Sequence, residues 1–305
     1  MKIPHVRSLI MKLTKSSGNG VKHSSAGYIT RRRFLAATAA VPAVSCFVLL
    51  FCNWQYTAAA AGPGPAAKAV ADSKQTANVL IITGIDHPAH NWRQTAPVLA
   101  EMLGKDKRLE VRIVEDPHFL DSSALERYDV VVLHFMNWEQ PAPGPKARAN
   151  LRKFVQDGKG LFVVHFGCGA FQDWPEFRNL AGRVWDPKAR AHDPGGPFRV
   201  NITDVPHPIT QGLKSFEIED ELYTCLTGDR PVNMLATARS KVDNKIYPMA
   251  FAFDYGKGRV FHSALGHDVK AISNPGAAEL FRRGCAWAAG MPPVQKTQKK
   301  KTDNK

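Results

Sequence analysis

The chain has 305 residues, 44% of them hydrophobic and 22% charged, enough for one large domain or two small ones. Its formal net charge of +14 suggests an anionic partner, yet the charge sits at the ends: residues 1–71 hold nine Lys/Arg and no acid, and residues 296–305 carry +4. That leaves +1 for residues 72–295, so the basic balance is no argument for nucleic-acid binding.

In chain order, the first feature is an address. TRRRFLA at 30–36 resembles a twin-arginine export signal, followed by an apolar run over 36–52 and by small residues at 58–61 that suit a signal peptidase. The expectation is a signal over 1–61, engagement of the export machinery and a periplasmic protein; the alternative is an uncleaved signal that anchors it. A lipoprotein reading through AVSC, ending at Cys46, is weaker, because Ala is a poor residue three before the Cys. Residues 62–75, beginning GPGPAAK, read as a linker, and residues 292–305 as a solvated basic tail.

Residues 78–84 (NVLIITG) predict a fully apolar strand ending at a Gly turn, and 92–103 has helical spacing stopped by Gly104. Short strands follow at 111–114 and 129–134, then a helix from Pro145 through Phe154 and a fourth strand at 161–164. None of these strands alternates polar with apolar residues, as expected where both faces are covered, and strand–helix alternation at this pace gives a parallel sheet. The second half changes character. FRVNIT at 198–203 alternates, 247–253 and 258–262 predict a hairpin around DYGKG, and a last helix starts at NPGA and runs to Trp287. One domain over 76–291 accounts for all of it.

A parallel sheet binds ligands at the carboxyl ends of its strands. Here those ends are rich in His. GIDHPAHNW follows strand one (His87, His90, Trp92), HFMNW closes strand three (His134, Trp138), and strand four runs into His165. The hairpin leads to ALGHD (His267, Asp268), while HDPGG (His192), HPIT and EDELY (Asp220, Glu221, Tyr223) lie between. In GLFVVHFGCGAFQDW, His165 occupies the position a nucleophile elbow presents, with Gly167 two residues on to let the turn close. Cys168 lies three positions further, without a local base, and reads as a small buried residue. A structural, hydrogen-bonded role for His165 stands beside acid–base chemistry or metal ligation. If Cys46 and Cys52 leave with the signal, Cys168, Cys225 and Cys285 remain, an odd number with no CxxC and no zinc spacing.

Together, HPAHNW, VVHFGCGAFQDWPEF, HPITQGL, EDELY and GKGRVFHSALGHD, in this order over 78–290, resemble the trehalose-utilisation (ThuA-like) family of the class I glutamine amidotransferase-like superfamily. The resemblance implies an α/β, flavodoxin-like three-layer sandwich with a mostly parallel central sheet. It also implies an association with trehalose and related disaccharides. True class I amidotransferases carry Cys at the elbow in a Gly-x-Cys-x-Gly turn; here VVHFG puts His165 there, so no glutaminase activity is expected.

Two functions fit. The first is an enzyme on a carbohydrate, such as a keto-disaccharide, with His165, Asp220, Glu221 and His267 as acid–base or metal-binding groups and with Trp92, Trp138 and Trp174 offering faces to sugar rings. The substrate-contacting set would be His87, His90, Trp92, His134, Trp138, His192, Tyr223 and Asp268. A divalent metal suits imidazole and carboxylate, though no HExxH is present, so its ligands would come from separate loops. The second is a non-catalytic exported module binding a sugar or a protein partner. Oligomeric state, homo-oligomer included, stays open.

Overall fold

The structure, a computed structural model, describes residues 75–294. The expected export signal, nearly all of the linker and residues 295–305 of the tail lie outside the described residues. Among the described residues no helix is long and apolar enough to cross a membrane.

In chain order the elements are β1 (Ala77–Ile82), α1 (Trp92–Gly104), β2 (Leu109–Val114), β3 (Val130–Leu133), α2 (Pro145–Gln156), β4 (Gly160–Val164) and α3 (Glu176–Ala181). Then come β5 (Val184–Trp185), β6 (Gly196–Ile202), β7 (Phe216–Asp220), β8 (Leu226–Thr227), β9 (Asn233–Arg239), β10 (Ile246–Tyr255) and β11 (Gly258–Ser263), and last α4 (Val269–Ser273) and α5 (Pro275–Ala288). One nine-stranded sheet runs β2-β1-β3-β4-β11-β10-β9-β6-β7, and β5 pairs with β8 apart from it. Strands β2, β1, β3, β4 and β11 pair in parallel; every pairing from β11 outward to β7 is antiparallel. The expected parallel sheet is thus one half of a mixed sheet. The predicted hairpin exists, and its second strand also closes the parallel half by joining β4.

Residues of β3 and β4 are buried on both faces, which is why they read as unbroken apolar runs. Successive residues of β1 feed opposite layers. Val79 and Ile81 pack with Leu99 and Leu103 of α1 and Phe281 of α5, whereas Leu80 and Ile82 pack on the side of Leu151 and Phe154 of α2 and Phe177 of α3. Two apolar layers around one sheet make the three-layer sandwich. β6 alternates buried and exposed side chains, as its sequence does. Strands β7 and β9, the short α3 and α4, and the 3-10 turns at Pro117–Asp121, Ser123–Arg127 and His165–Gly169 were not legible in the sequence.

The first four parallel strands stand in the order β2-β1-β3-β4. The chain reverses its direction of travel between β1 and β3, and such a switch point opens a crevice at the strand carboxyl ends.

Candidate functional site

β4 ends at Val164 and the chain turns at His165 with φ of 45°. A left-handed conformation costs a non-glycine residue about 1 kcal/mol or more, so the surroundings must hold it there. Gly167 makes the turn possible: a Cβ there would lie 2.3 Å from the Leu133 carbonyl oxygen. The fully buried His165 ring is fixed at both nitrogens. Nδ1–H donates to the Ala264 carbonyl at 2.7 Å, which leaves Nε2 as the acceptor, and the Tyr223 hydroxyl donates to it at 2.8 Å.

Glu221 faces this ring from the end of β7. Its Oε2 lies 3.6 Å from His165 Nε2 and 3.0 Å from His267 Nδ1, and its Oε1 lies 3.7 Å from His192 Nε2. Burial pushes the Glu221 carboxyl up, but its interactions with His165 and His267 outweigh that and hold the group well below the usual carboxylate range. The same carboxylate raises His267 against the opposing effect of burial. His192 is set in place by its neighbour. The buried Asp193 carboxylate takes the Arg190 guanidinium at 2.5 Å, the Ser240 hydroxyl at 2.8 Å and the Lys241 N–H at 2.9 Å, and His192 Nδ1 donates to the Asp193 carbonyl at 2.7 Å.

His90, from the loop after β1, closes the cluster. Its ring stacks on Phe166 at 4.5 Å and meets His165 and His267 edge-on at 5.2 and 5.0 Å. Burial, with the neighbouring His165 and His267, lowers its pKa to about 2, so it is neutral. Its Nδ1 is buried with no hydrogen-bond partner. His267 Nδ1 is likewise buried and is met only by the Glu221 carboxylate 3.0 Å away. An unpaired buried polar atom costs about 1–3 kcal/mol, so the bare Nδ1 of His90 beside a carboxylate-bound His267 marks a site built for something further.

The remaining expected residues do other work. Asp220 is buried, and burial raises its carboxyl. Its Oδ1 accepts from the N–H groups of Glu221 at 2.8 Å and His267 at 3.1 Å, and its Oδ2 from Gly266 at 2.7 Å. It therefore ties two site loops together through their backbones. Asp220→Ala would strand three buried or half-buried donors, and an expected loss of about 3 kcal/mol in stability follows from the usual cost per donor. Urea unfolding reads this directly; an unchanged midpoint would contradict the tying role.

His134 lies beneath the site, wholly buried, between the hydroxyls of Thr83 and Thr95 at 3.2 Å each. Thr95 spends its hydrogen on the Asn91 carbonyl, so it accepts from His134 Nε2–H while Thr83 donates to Nδ1. Trp92 is buried and donates to Asp86 at 2.7 Å, fixing the start of α1 rather than offering a face. Asp268 is exposed and caps α4 through the Ala271 N–H. His87 stacks on His90 at 5.5 Å and meets Trp138 edge-on at 6.0 Å. Trp138, 43% exposed, donates to the Gly169 carbonyl and packs on Trp185 at 5.0 Å.

Trp185 was not singled out in the sequence, because it lies in VWDP, where a two-residue strand leaves no apolar run to read. It stands between Trp138 and Tyr223, 5.1 Å from the latter. It also walls a cavity of about 660 Å³ with Phe171, Trp174, Phe177, Asp186 and Asp229. A second cavity, about 500 Å³, is lined by Asn91, Thr95, His267 and Asp268. Neither is lined by His165 or Glu221; the second shares His267 with the cluster, and the first adjoins it through Trp185, which packs on Tyr223.

Cys168, Cys225 and Cys285 are free thiols, all buried. Burial pushes Cys168 well above the usual thiol range, the opposite of what a nucleophile needs. Peptide mapping after iodoacetamide is expected to find all three unmodified in the native protein and modified after unfolding. The protein is also expected to release no ammonia from glutamine.

A family model described as ThuA, trehalose utilisation, matches residues 78–288, more than half of the chain. The chain belongs to the ThuA family. A ThuA-like protein of Parabacteroides merdae ATCC 43184 is 26% identical and superposes with a TM-score of 0.64 over 73% of this chain and 94% of its own. A ThuA-like protein of Bacteroides uniformis ATCC 8492 is 18% identical, with a TM-score of 0.58 over 75% and 99%. Among curated proteins, none matches the sequence. Membership carries the family's association with trehalose utilisation, and the α/β sandwich around a mixed central sheet is the α/β three-layer fold expected from the sequence. The stretches that carry the resemblance map onto the cluster: HPAHNW supplies His90, VVHFG supplies His165, EDELY supplies Glu221 and Tyr223, and ALGHD supplies His267.

Proposed function

We propose that this ThuA protein acts on an oxidised disaccharide of the trehalose type, by proton transfer at the His165–Glu221–His267 cluster, after export through its N-terminal signal. The observation that carries the reading is the Glu221 carboxylate, held ionised between His165, His267 and His192, with the Tyr223 hydroxyl beside them. A keto group on one sugar ring acidifies the adjacent C–H. Glu221 or His165 takes that proton, the electron pair forms an enolate, and a hydroxyl such as that of Tyr223 donates to its oxygen. The glycosidic C–O bond next to the new double bond then breaks, with its electron pair leaving on oxygen. His267, whose pKa the carboxylate raises, protonates the departing alcohol. Water adding back to the unsaturated sugar completes a net hydrolysis. Trp138 and Trp185 offer aromatic faces for the rings on the side of Tyr223.

The test is incubation of the purified protein with trehalose and with 3-keto-trehalose, followed by NMR. Conversion of the keto sugar alone supports the reading. Saturable binding of the sugar without conversion would favour the non-catalytic module instead.

A further inference from the structure

We propose that His90, His165 and His267, with Glu221, form a binding site for one divalent transition-metal ion of the zinc class. The proposal uses the same cluster as the reading above, with the acid–base roles of His165 and His267 belonging to its metal-free form, and metal binding itself does not depend on what the substrate is.

Four observations point to it. One imidazole nitrogen from each histidine lies within 4.8 Å of the other two, although the three come from separate loops after β1, β4 and β11. Nδ1 of His90 is buried with no hydrogen-bond partner, and the buried Nδ1 of His267 is met only by the Glu221 carboxylate 3.0 Å away, so the cluster holds one unused nitrogen atom beside a nitrogen–carboxylate pair. His165 donates its Nδ1–H to the Ala264 carbonyl at 2.7 Å, and this outer hydrogen bond is the kind that fixes the tautomer and aims the other nitrogen of a metal-ligating histidine. Finally, one carboxylate oxygen of Glu221 stands 3.0 and 3.6 Å from nitrogens of His267 and His165. Ligand atoms about 2.0–2.2 Å from a shared ion stand roughly 3–3.5 Å apart, so two of the edges of such a site already have its length.

The donor set selects the ion. Three neutral imidazoles and one carboxylate suit Zn²⁺, Mn²⁺, Fe²⁺ or Co²⁺, whereas Ca²⁺ and Mg²⁺ call for mostly oxygen ligands. Closing the three nitrogens from a 4.8 Å spread takes side-chain rotations, and the ion must displace the Tyr223 hydroxyl from His165 Nε2. Tyr223 is thus a competitor for that lone pair. Its removal is expected to tighten metal binding, which a merely structural tyrosine would not do.

The full-length protein, stripped with EDTA and dialysed, is titrated calorimetrically with Zn²⁺ and, separately, with Mn²⁺, Mg²⁺ and Ca²⁺. One Zn²⁺ or Mn²⁺ per chain is expected, with no response to Mg²⁺ or Ca²⁺. His90→Ala and His267→Ala should each weaken binding at least tenfold, Tyr223→Phe should strengthen it severalfold, and the exposed His118→Ala should leave it unchanged. Cobalt bound to the wild-type protein gives a check free of any folding defect, since a histidine–carboxylate site of low coordination number yields visible absorption bands. Absence of stoichiometric Zn²⁺ and Mn²⁺ binding, or equal affinity in wild type and both His→Ala variants, overturns the site. Keto-sugar conversion by the metal-free protein would leave the acid–base reading intact if the metal fails. A bound metal with an inert sugar would overturn that reading and not this site.

Discussion

His165→Ala is expected to lower turnover of the keto sugar by about 10²- to 10⁴-fold while changing sugar affinity only severalfold. The argument rests on how the ring is held. Its backbone is kept left-handed, its Nδ1–H is committed to Ala264, and the one remaining lone pair points to Tyr223 and Glu221. Alanine at the same φ carries no new backbone strain, so the change removes the imidazole and leaves the turn. Tyr223→Phe keeps the ring packed 4.2 Å from His165 but loses the hydroxyl, and a smaller fall, about tenfold, is expected. Because the two groups share one hydrogen bond, the double variant should lose little more than His165→Ala alone. Steady-state kinetics on the three variants decide it. A fall confined to sugar affinity, with the rate at saturation untouched, would reassign His165 to binding; strictly additive losses would mean that it and Tyr223 act separately.

Much of this arrangement was legible in the sequence, for a physical reason. Strands buried on both faces leave unbroken apolar runs, so β1, β3 and β4 were readable to within a residue or two, and their carboxyl ends located the histidines. The elbow register singled out His165 over Cys168, and the structure has His165 at the turn with Cys168 buried behind it. What the sequence did not separate was facing from anchoring. Asp220 and Glu221 are neighbours and equally acidic, yet one carboxylate turns to three backbone N–H groups and the other to three histidines. Strand alternation sends adjacent side chains to opposite sides, but which side holds the site depends on β7 lying at the sheet's far edge, a long-range pairing with no local signature. Trp92 and Asp268 adjoin the site residues in sequence, and in the structure each also serves to start a helix. Trp185 escaped because its β5 pairs only with the distant two-residue β8.

Acid should unfold this protein early, because buried histidines are held neutral in the fold: His90 in the site, and two more away from the reacting groups. His134 and His262 are fully buried, and burial lowers their pKa values to about 3 and about 4. His134 sits between two threonine hydroxyls. His262 donates Nδ1–H to the Ala181 carbonyl, packs on Phe251 and leaves Nε2 without a partner, so neither ring has a counter-ion to welcome a proton. In the unfolded chain both take up protons near the ordinary histidine pKa of about 6.5. A base with a depressed folded pKa therefore costs no stability above pH 6.5 and loses stability as pH falls below it, until the folded pKa is reached. Each such histidine contributes about 1.4 kcal/mol per pH unit, so two of them remove about 5 kcal/mol between pH 6.5 and 4.5, comparable to the whole stability of many domains. Carboxylates held below their usual range, such as Asp193 and Glu279, add their loss only at lower pH. Urea unfolding at pH 7.0, 6.0 and 5.0 should show a steadily falling midpoint, with His262→Gln removing about a third of the slope, since His90 and His134 contribute alongside it. A midpoint flat across that range would mean that the buried rings admit protons and that their burial does not govern the acid limb.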